Sequence, residues 1–205
     1  MEEDVKPFSQ ACENNKEPIL CVLRRVFEPC RSVMEIGSGT GQHACWFASH
    51  LDHLKWQPTD VSQNLAGIEL WRASCPSPNL LPALTFDIRD PEWPAPGCDG
   101  VFSANTAHIM SWPLACEMIE RVADNLPAGG VFALYGPFNY HGTYTSDSNR
   151  DFDQWLKEAD PERGIRDFEK VDQLALSHGL HLFEDNPMPA NNRLLVWVKR
   201  PQDLI

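Results

Sequence analysis

The sequence VMEIGSGTGQH, residues 33–43, joins a short apolar segment to a loop with glycines at positions 37, 39 and 41. The segment after this loop is amphipathic, and one helical face carries Ala44, Phe47, Ala48 and Leu51. A strand, a glycine-rich turn and a helix in this order are typical of a nucleotide-type site in an open α/β sheet. Glycine lets a ligand approach the backbone where a Cβ atom would obstruct it.

The chemistry of the loop favours S-adenosylmethionine (SAM) over a dinucleotide. The third glycine of the dinucleotide pattern GxGxxG falls on Gln42, so that pattern is not met. The carboxylate of Glu35, just before the loop, would repel a pyrophosphate but attract an ammonium and a sulfonium. Both residues count against a nicotinamide dehydrogenase. The alternative is a structural glycine-rich turn in another α/β protein, because a lone glycine motif is not specific.

Three further predicted strands also finish next to polar side chains. These strands cover residues 54–59, 82–86 and 100–104. They end at Asp60, Asp87 and Asn105, and ligands of open α/β sheets bind at such carboxyl ends. Because carboxylates accept hydrogen bonds from ribose hydroxyls and an adenine amine, we expect Asp60 on the ribose and Asp87 near the adenine. The alternative is that both aspartates only cap the helices that follow.

The excess of acidic residues argues against nucleic acid as a partner. The formal net charge is −12, and no basic run is longer than Arg24-Arg25 or Lys199-Arg200. Phosphate contacts need clustered lysine and arginine. The Asn/Asp-Pro-Pro-Tyr/Phe motif of amino-group nucleic-acid methylation is also not met, because residues 105–108 read NTAH. We therefore expect a small-molecule substrate.

Composition also bears on location and metals. No apolar run reaches the ~18 residues of a membrane span, and the N-terminal MEEDVKPF is polar, unlike a signal peptide. The seven cysteines are scattered, without a CxxC pair or a Cys/His metal spacing, which is typical of reduced thiols in a cytoplasmic protein. These features predict a cytoplasmic protein with no membrane contact and no metal, and they leave the oligomeric state open.

The order of elements predicts the fold class. Helical patterns begin near Asn15, with Pro18 in the first turn, and after Ser111, and Asp167 can cap a helix that runs to Ser177. Residues 131–135 form a fifth strand, and residues 180–184 and 194–199 form an antiparallel hairpin-like edge joined by residues 185–193. The prediction is one class I methyltransferase (Rossmann-like) α/β domain over residues 1–205. Its seven-stranded sheet is mostly parallel with one antiparallel strand, and helices cover both faces.

The segment after the fifth strand, residues 136–166, is long, polar and rich in aromatic residues. A loop-rich connection of about 30 residues is too long for a plain link and is typical of a lid or a binding loop. We therefore predict that residues 136–167 form a lid or substrate-side insertion beside the cofactor.

Motifs along nearly the whole chain resemble the DUF938 family of SAM-dependent methyltransferase-like proteins. They are NKEPIL at 15–20, GSGTGQHA at 37–44, WQPTDV at 56–61, AN at 104–105, AHI at 107–109, YGPF at 135–138, TS at 145–146, SN at 148–149, FD at 152–153, GIRD at 164–167 and MPANN at 188–192. Gly37 stands where alanine is common in that family. The resemblance implies a class I fold and SAM binding, and it does not define a substrate.

The predicted cofactor-binding residues combine the loop, the strand ends and their neighbours. They are Asn15, Glu35, Gly37, Ser38, Gly39, Gly41, His43, Asp60, Asp87, Ile88 and Asn105. The predicted catalytic residues are His108, Tyr135, Asn149 and Arg166, which we expect to face one pocket beside the SAM methyl group.

Three of the four catalytic assignments have an alternative. His108 would act as a general base or a substrate ligand, or it would only tie its loop. Tyr135 would line the transfer site or pack in the core. Arg166 would clamp a substrate carboxylate or phosphate, or it would pair internally with Asp153 or Asp167.

Together these features predict a SAM-dependent methyltransferase that acts on a small-molecule acceptor and releases S-adenosylhomocysteine. A SAM-binding sensor or partner subunit without catalysis is the first alternative, and a protein methyltransferase is the second.

Overall fold

The computed structural model of the chain describes residues 5–201 and divides into two compact units between Phe102 and Ser103. A single domain over residues 1–205 stays a prediction. The polar N-terminal stretch used to predict the lack of a signal peptide lies partly outside the described residues. Within residues 5–201, no helix has both the length and the apolar character needed to cross a membrane.

The first unit alternates helices and strands, as the glycine-loop motif predicts. Its elements are α1 Gln10–Val26, β1 Ser32–Ile36, α2 Gln42–His50, β2 Lys55–Asp60, α3 Leu65–Ala73, β3 Leu84–Thr85 and the first half of β4 Gly100–Ala104. The strand order in this unit is β3-β2-β1-β4. The pairs β1–β2 and β2–β3 are parallel.

Helix α1 begins five residues before the predicted start at Asn15, and Pro18 lies inside it rather than in its first turn. The N-cap is Ser9, whose hydroxyl accepts a hydrogen bond from the backbone N–H of Cys12 at 3.4 Å. The first helical turns carry polar residues, so the apolar periodicity that marks the helix becomes visible only from Ile19.

The core of the first unit is built around aromatic rings. Phe47 contacts Trp56 and Phe102, with ring centroids 5.5 Å and 5.3 Å apart, and all three side chains are fully buried. Gly100 begins β4 because a Cβ atom there would lie 2.8 Å from Cγ2 of Val33 on β1. Burial of these rings supplies much of the hydrophobic stabilisation that holds β1 and β2 in place.

The second unit holds the remaining elements. They are the second half of β4, α4 Trp112–Asn125, β5 Val131–Asn139, α5 Asp147–Ala159, β6 Arg166–Asp167, α6 Phe168–Ser177, β7 Leu180–Met188 and β8 Asn192–Lys199. The strand order in this unit is β4-β5-β8-β7, and the two-residue β6 pairs with β5 in parallel. Strand β8 is antiparallel to both of its neighbours, which confirms the one predicted antiparallel strand; β6 is an additional short strand.

Two connections in the second unit differ from the prediction. The segment 136–166 is not loop-rich throughout, because β5 continues to Asn139 and α5 adds thirteen helical residues. The buried face of α5 carries Asn149 and Asp153 beside Leu156, so its polar residues hide the helical periodicity. The predicted link over residues 185–193 is instead the short turn Pro189–Asn191, where Ala190 and Asn191 both adopt left-handed backbone angles.

The predicted cap of α6 is correct in position only. Asp167 is the N-cap residue, but its side chain makes no capping hydrogen bond. Its carboxylate instead pairs with Lys170 at 3.0 Å.

The side-chain amide of Asn79 holds the end of α2. Its nitrogen donates to the backbone carbonyls of Ala48, Leu51 and Leu54 at 3.0, 3.2 and 2.7 Å. Carbonyls at a helix end have no partner within the helix, so this amide replaces the missing donors. The loop that carries Asn79 is thereby fixed against α2.

We expect Asn79→Ala to lower the free energy of unfolding by about 2–3 kcal/mol, because part-buried carbonyls lose their donor. Asn125→Ala is the matched control, since that exposed amide makes one bond, to the carbonyl of Arg121 at 2.9 Å. Asn125→Ala should lower the free energy of unfolding by less than about 0.5 kcal/mol. Urea unfolding measures both variants, and equal costs would contradict the assigned role.

Candidate functional site

The glycine loop folds over the end of β2. The backbone N–H groups of Gly37 and Ser38 both donate to the carbonyl oxygen of Thr59, each at 3.0 Å. In return, the Thr59 hydroxyl donates to the carbonyl of Glu35 at 2.7 Å. These bonds hold the ends of β1 and β2 together, so the loop begins at a fixed point.

Two glycines of the loop meet different constraints. Gly41 has φ +89°, and a Cβ atom there would lie 2.9 Å from the Cα of Ile68 on α3, so close packing requires glycine. Gly39 has φ +57°, and a Cβ atom there would meet no atom within 4 Å. The backbone at Gly39 is therefore open on that side, as a loop that receives a ligand would be.

The carboxylate of Asp60 lies at this loop. One oxygen accepts the backbone N–H of Gly39 at 2.7 Å, and the other accepts the N–H of Val61 at 2.7 Å and the amide of Asn64 at 2.9 Å. The side chain is 8% exposed. Asp60 thus contacts the loop as well as the turn that follows β2, so a capping role alone does not describe it.

Glu35 is buried and points its carboxylate at internal donors. One oxygen accepts from the Ser38 hydroxyl and from the Trp56 indole, both at 3.0 Å. Burial raises the pKa of Glu35 to about 7, although these two hydrogen bonds oppose the shift and the charge of Asp60 adds to it. The carboxyl therefore links Ser38 of the loop to Trp56 of β2. The expected contact of Glu35 with a ligand ammonium stays a prediction.

His43 and Asn15 contact each other in the interior of the first unit. The Nε2 atom of His43 lies 2.7 Å from the amide oxygen of Asn15, and the imidazole stacks on Phe47 at a centroid distance of 5.1 Å. Burial lowers the pKa of His43 to about 4, so the ring is neutral at physiological pH. This pair ties α1 to α2 behind the loop.

Gln42 is a residue of the loop region that was not among the predicted site residues. Its amide nitrogen donates to the carbonyl of Ser9 at 3.3 Å and to Glu13 at 3.2 Å, and its oxygen accepts from the hydroxyl of Thr40 at 3.1 Å. The side chain thus links the start of α1 to the loop. The sequence feature that could have pointed to Gln42 is its position, because it stands where the dinucleotide pattern has its third glycine.

Asp87 lies after β3 and pairs with Arg89. Its carboxylate accepts from the guanidinium at 2.5 and 2.9 Å. The hydrogen bond from the Arg89 side chain is the main reason that the pKa of Asp87 falls to about 2. Ile88, the next residue, is buried. The expected adenine contact at this strand end stays a prediction.

A cavity of about 550 Å³ adjoins the glycine loop within the first unit. It is lined by Val5, Pro7, Gly39, Thr40, Gln63, Asn64, Ala66, Gly67 and Leu70. The segment with Val5 and Pro7 is held by Trp71, whose indole donates to the carbonyl of Pro7 at 2.7 Å. The cavity therefore borders both the open side of Gly39 and Asn64, a hydrogen-bond partner of Asp60.

In the second unit, His108 and Arg166 lie together. The guanidinium of Arg166 donates to the carbonyls of Ala107, Met110 and Glu162, and the carbonyl of His108 accepts the N–H of Gly164 at 3.0 Å. Arg166 thus holds the loop around His108. Asp153 and Asp167, its predicted internal partners, form ion pairs with Lys157 and Lys170.

The imidazole of His108 is buried and neutral. Burial, followed by the nearby Arg166 charge, lowers its pKa to about 4. The ring meets Phe152 edge-on at a centroid distance of 5.4 Å. A base with this pKa is already deprotonated at neutral pH, but it accepts a proton only weakly.

Tyr135 and Asn149, the other predicted catalytic residues, also lie in the second unit, and the expectation that all four face one pocket stays a prediction. Tyr135 is buried on β5, and its carbonyl accepts the N–H of Asn105, which adopts a left-handed φ of +57°. Asn149 donates to the Thr145 hydroxyl at 3.0 Å and to the carbonyl of Asn191 at 3.1 Å. The amide of Asn149 therefore fixes the turn between β7 and β8.

Comparison with solved structures gives the fold class. An O-methyltransferase family protein from Burkholderia thailandensis matches 92% of this chain with TM-score 0.81 and 15% identity. An O-methyltransferase family 2 protein from Planctomyces limnophilus, in complex with apigenin, matches 92% with TM-score 0.80 and 14% identity. Human N-acetylserotonin methyltransferase, in complex with SAM, matches 94% with TM-score 0.77 and 14% identity.

This chain covers only 57%, 57% and 53% of those three proteins, respectively. Such likeness establishes the class I methyltransferase fold and confirms the predicted fold class. The family model described as protein of unknown function (DUF938) matches residues 6–199. Since that match spans nearly the whole sequence, the chain belongs to the DUF938 family.

Proposed function

We propose that this protein is a SAM-dependent methyltransferase that acts on a small-molecule acceptor. The observation that carries the proposal is the loop itself: Gly39 is left-handed and open, and its N–H binds the carboxylate of Asp60 beside a cavity of about 550 Å³. A backbone without Cβ atoms next to a strand-end carboxylate fits the adenosyl and ribose parts of SAM. The described neighbours include methyltransferases in complex with SAM and with apigenin, which supports the same assignment.

Bound SAM would supply an electrophilic methyl group, and the protein would position the acceptor. The loop backbone would bind the cofactor, and Asp60 would exchange its Gly39 and Asn64 contacts for ribose hydroxyls. His108 is neutral at physiological pH and would accept or orient an acceptor proton. Arg166 would act through His108, because its guanidinium fixes the flanking carbonyls of Ala107 and Met110.

A second candidate is SAM binding without catalysis. Two observations favour it. Burial lowers the pKa of His108, so this residue is a weak base. The guanidinium of Arg166 already donates to backbone carbonyls and is therefore not available to bind a substrate anion. A screen of metabolite pools with methyl-labelled SAM separates the two functions. A methyltransferase transfers label to at least one metabolite, whereas a binding module retains SAM and labels none.

We expect Asp60→Asn to weaken SAM about 10- to 100-fold, because a charge-assisted bond to the ribose is worth about 1–3 kcal/mol. Asp52→Asn is the matched control, since it removes the same charge from an exposed position beyond α2. Calorimetry with SAM, S-adenosylhomocysteine and NAD measures the affinities, and thermal unfolding checks that the loop still folds. Tight NAD binding without a SAM response would contradict the cofactor assignment.

For His108→Asn we expect turnover to fall by about 10²–10⁴ while SAM affinity stays nearly unchanged, provided that His108 acts as the base. The control is His53→Asn, because His53 is exposed between α2 and β2, outside the proposed lid. If His108 only ties its loop, stability and SAM affinity should fall together with activity. A fully active variant would exclude both roles.

The pH dependence of stability gives an independent readout for His108. Its pKa is about 4 in the folded chain, below the ordinary 6.5, so the unfolded chain takes up a proton first as the pH falls. Its contribution to stability is complete above pH ~6.5 and is lost as the pH drops towards ~4. Chemical unfolding of His108→Asn between those pH values should therefore depend less on pH, by about one proton; an unchanged slope would contradict the assigned burial.

We extend the proposal to residues 136–167, which would serve as a lid for the acceptor. On addition of S-adenosylhomocysteine, we expect slower amide hydrogen exchange over residues 136–166, because an ordered cover opens less often. Helix α4 is the internal control and should exchange as before. Protection of the glycine loop with no change in residues 136–166 would count against the lid.

A further inference from the structure

Two cysteines of the first unit converge on one backbone carbonyl. Cys45 lies on α2, and Cys75 lies in the loop after α3. The Cys75 thiol is 3.6 Å from the carbonyl oxygen of Cys45, which is two bonds from the Cys45 Cα. The Ser49 hydroxyl donates to the same carbonyl at 2.7 Å and lies 3.5 Å from the Cys75 sulfur. The two cysteine side chains also hydrogen-bond to each other.

The loop that carries Cys75 is held against α2 by other residues. The amide of Asn79 binds the carbonyl groups at the end of α2, and the Ser77 hydroxyl donates to the Ser49 hydroxyl at 3.1 Å. A disulfide needs its two Cα atoms within a narrow distance range, and engineered pairs commonly fail because the backbone must move. In this protein, the distance between the Cys75 loop and α2 is fixed by the hydrogen bonds of Asn79 and Ser77, which do not involve either thiol.

The two thiols differ in acidity. Burial opposes ionisation of Cys75, but hydrogen bonding with the Ser49 hydroxyl and with the Ser77 backbone lowers its pKa below the ordinary value. Burial, followed by the neighbouring Cys75, raises the pKa of Cys45. The thiolate is the nucleophile in disulfide exchange, so Cys75 is the better attacking thiol of the two.

Cys45 and Cys75 are both partly exposed, unlike the buried Cys30 and Cys98. Cys45 lines a small cavity of about 150 Å³ together with Trp46, Ser49 and Trp71. A role as small core residues fits Cys30 and Cys98, and it does not account for a pair that is partly exposed.

We propose that Cys45 and Cys75 form a thiol-oxidation site that reacts with low-molecular-weight disulfides such as oxidised glutathione. The Cys75 thiolate attacks one sulfur of oxidised glutathione, which forms a mixed disulfide and releases one glutathione thiolate. Cys45 then loses its proton to solvent and attacks the Cys75 sulfur, which forms the Cys45–Cys75 disulfide and releases the second glutathione. Two protein thiols are oxidised, and one glutathione disulfide is reduced to two thiols.

The second step follows from the first. Part of the high pKa of Cys45 comes from the adjacent Cys75, and that part disappears once Cys75 is in a mixed disulfide. The inference concerns thiol chemistry alone and does not depend on methyl transfer, so either proposal can fail without the other.

Peptide mapping tests the site directly. Trypsin releases Cys45 in the peptide of residues 32–55 and Cys75 in the peptide of residues 73–89, and each peptide contains one cysteine. The full-length reduced protein is incubated with oxidised glutathione at neutral pH, the remaining thiols are alkylated, and the digest is analysed without reductant. We expect the two peptides to be joined, with a mass two hydrogens below the sum of their masses.

Single variants test the order of the steps. Cys45→Ser should accumulate glutathione on Cys75, because the resolving thiol is missing, whereas Cys75→Ser should leave Cys45 as a free thiol. Cys21→Ser is the control for an exposed cysteine and should leave the joined peptides unchanged.

Two outcomes would overturn the proposal. One is glutathione on Cys21 in the unmodified protein without any joined peptide, since oxidant was then present and the pair did not react. The other is glutathione on Cys45 in Cys75→Ser at the rate seen for Cys75, since the attacking thiol would then be wrongly assigned.

Discussion

The carbonyl oxygen of Thr59 is the point on which the candidate site depends. It accepts two N–H groups from the start of the glycine loop, so the loop takes its position from the end of β2. Asp60 follows directly and can reach the N–H of Gly39 only because this fold-back is in place. The buried carboxyl of Glu35 accepts hydrogen bonds from the Ser38 hydroxyl of the loop and from the Trp56 indole of β2. The end of β2 thus gives the loop its shape, which is the preorganisation that a binding site requires.

Buried polar side chains perform the same task in the second unit. Arg166 donates hydrogen bonds to backbone carbonyls next to His108. Asn149 donates to the carbonyl of Asn191, in a turn that contains two left-handed residues. Asp153 accepts from Lys157, Tyr144 and the backbone of Ile165. Buried polar groups are stable only when they are paired, so each of these side chains fixes the backbone segment to which it is bonded.

The sequence was most informative where glycine and apolar periodicity coincide. The β1-loop-α2 unit, β4 and α4 follow the predicted boundaries closely because each has a strong period and a clear start or stop. Helix α5 was missed because its inward face carries Asn149 and Asp153, and periodicity does not detect a polar face that is buried. Contacts such as Arg166 with the Ala107 carbonyl join residues far apart in the chain, and no local pattern encodes them.

The wall of the larger cavity has a practical consequence for anyone who prepares this protein. Val5 and Pro7 belong to a segment without regular secondary structure. The Trp71 indole donates to the Pro7 carbonyl, and the Lys6 ammonium donates to the Ser74 hydroxyl at 3.0 Å and lies 4.3 Å from the centre of the Trp71 ring. Removal of residues 5–7 would take away part of this wall together with the carbonyl that the Trp71 indole binds. Protein prepared for ligand discovery should therefore retain residues 5–7.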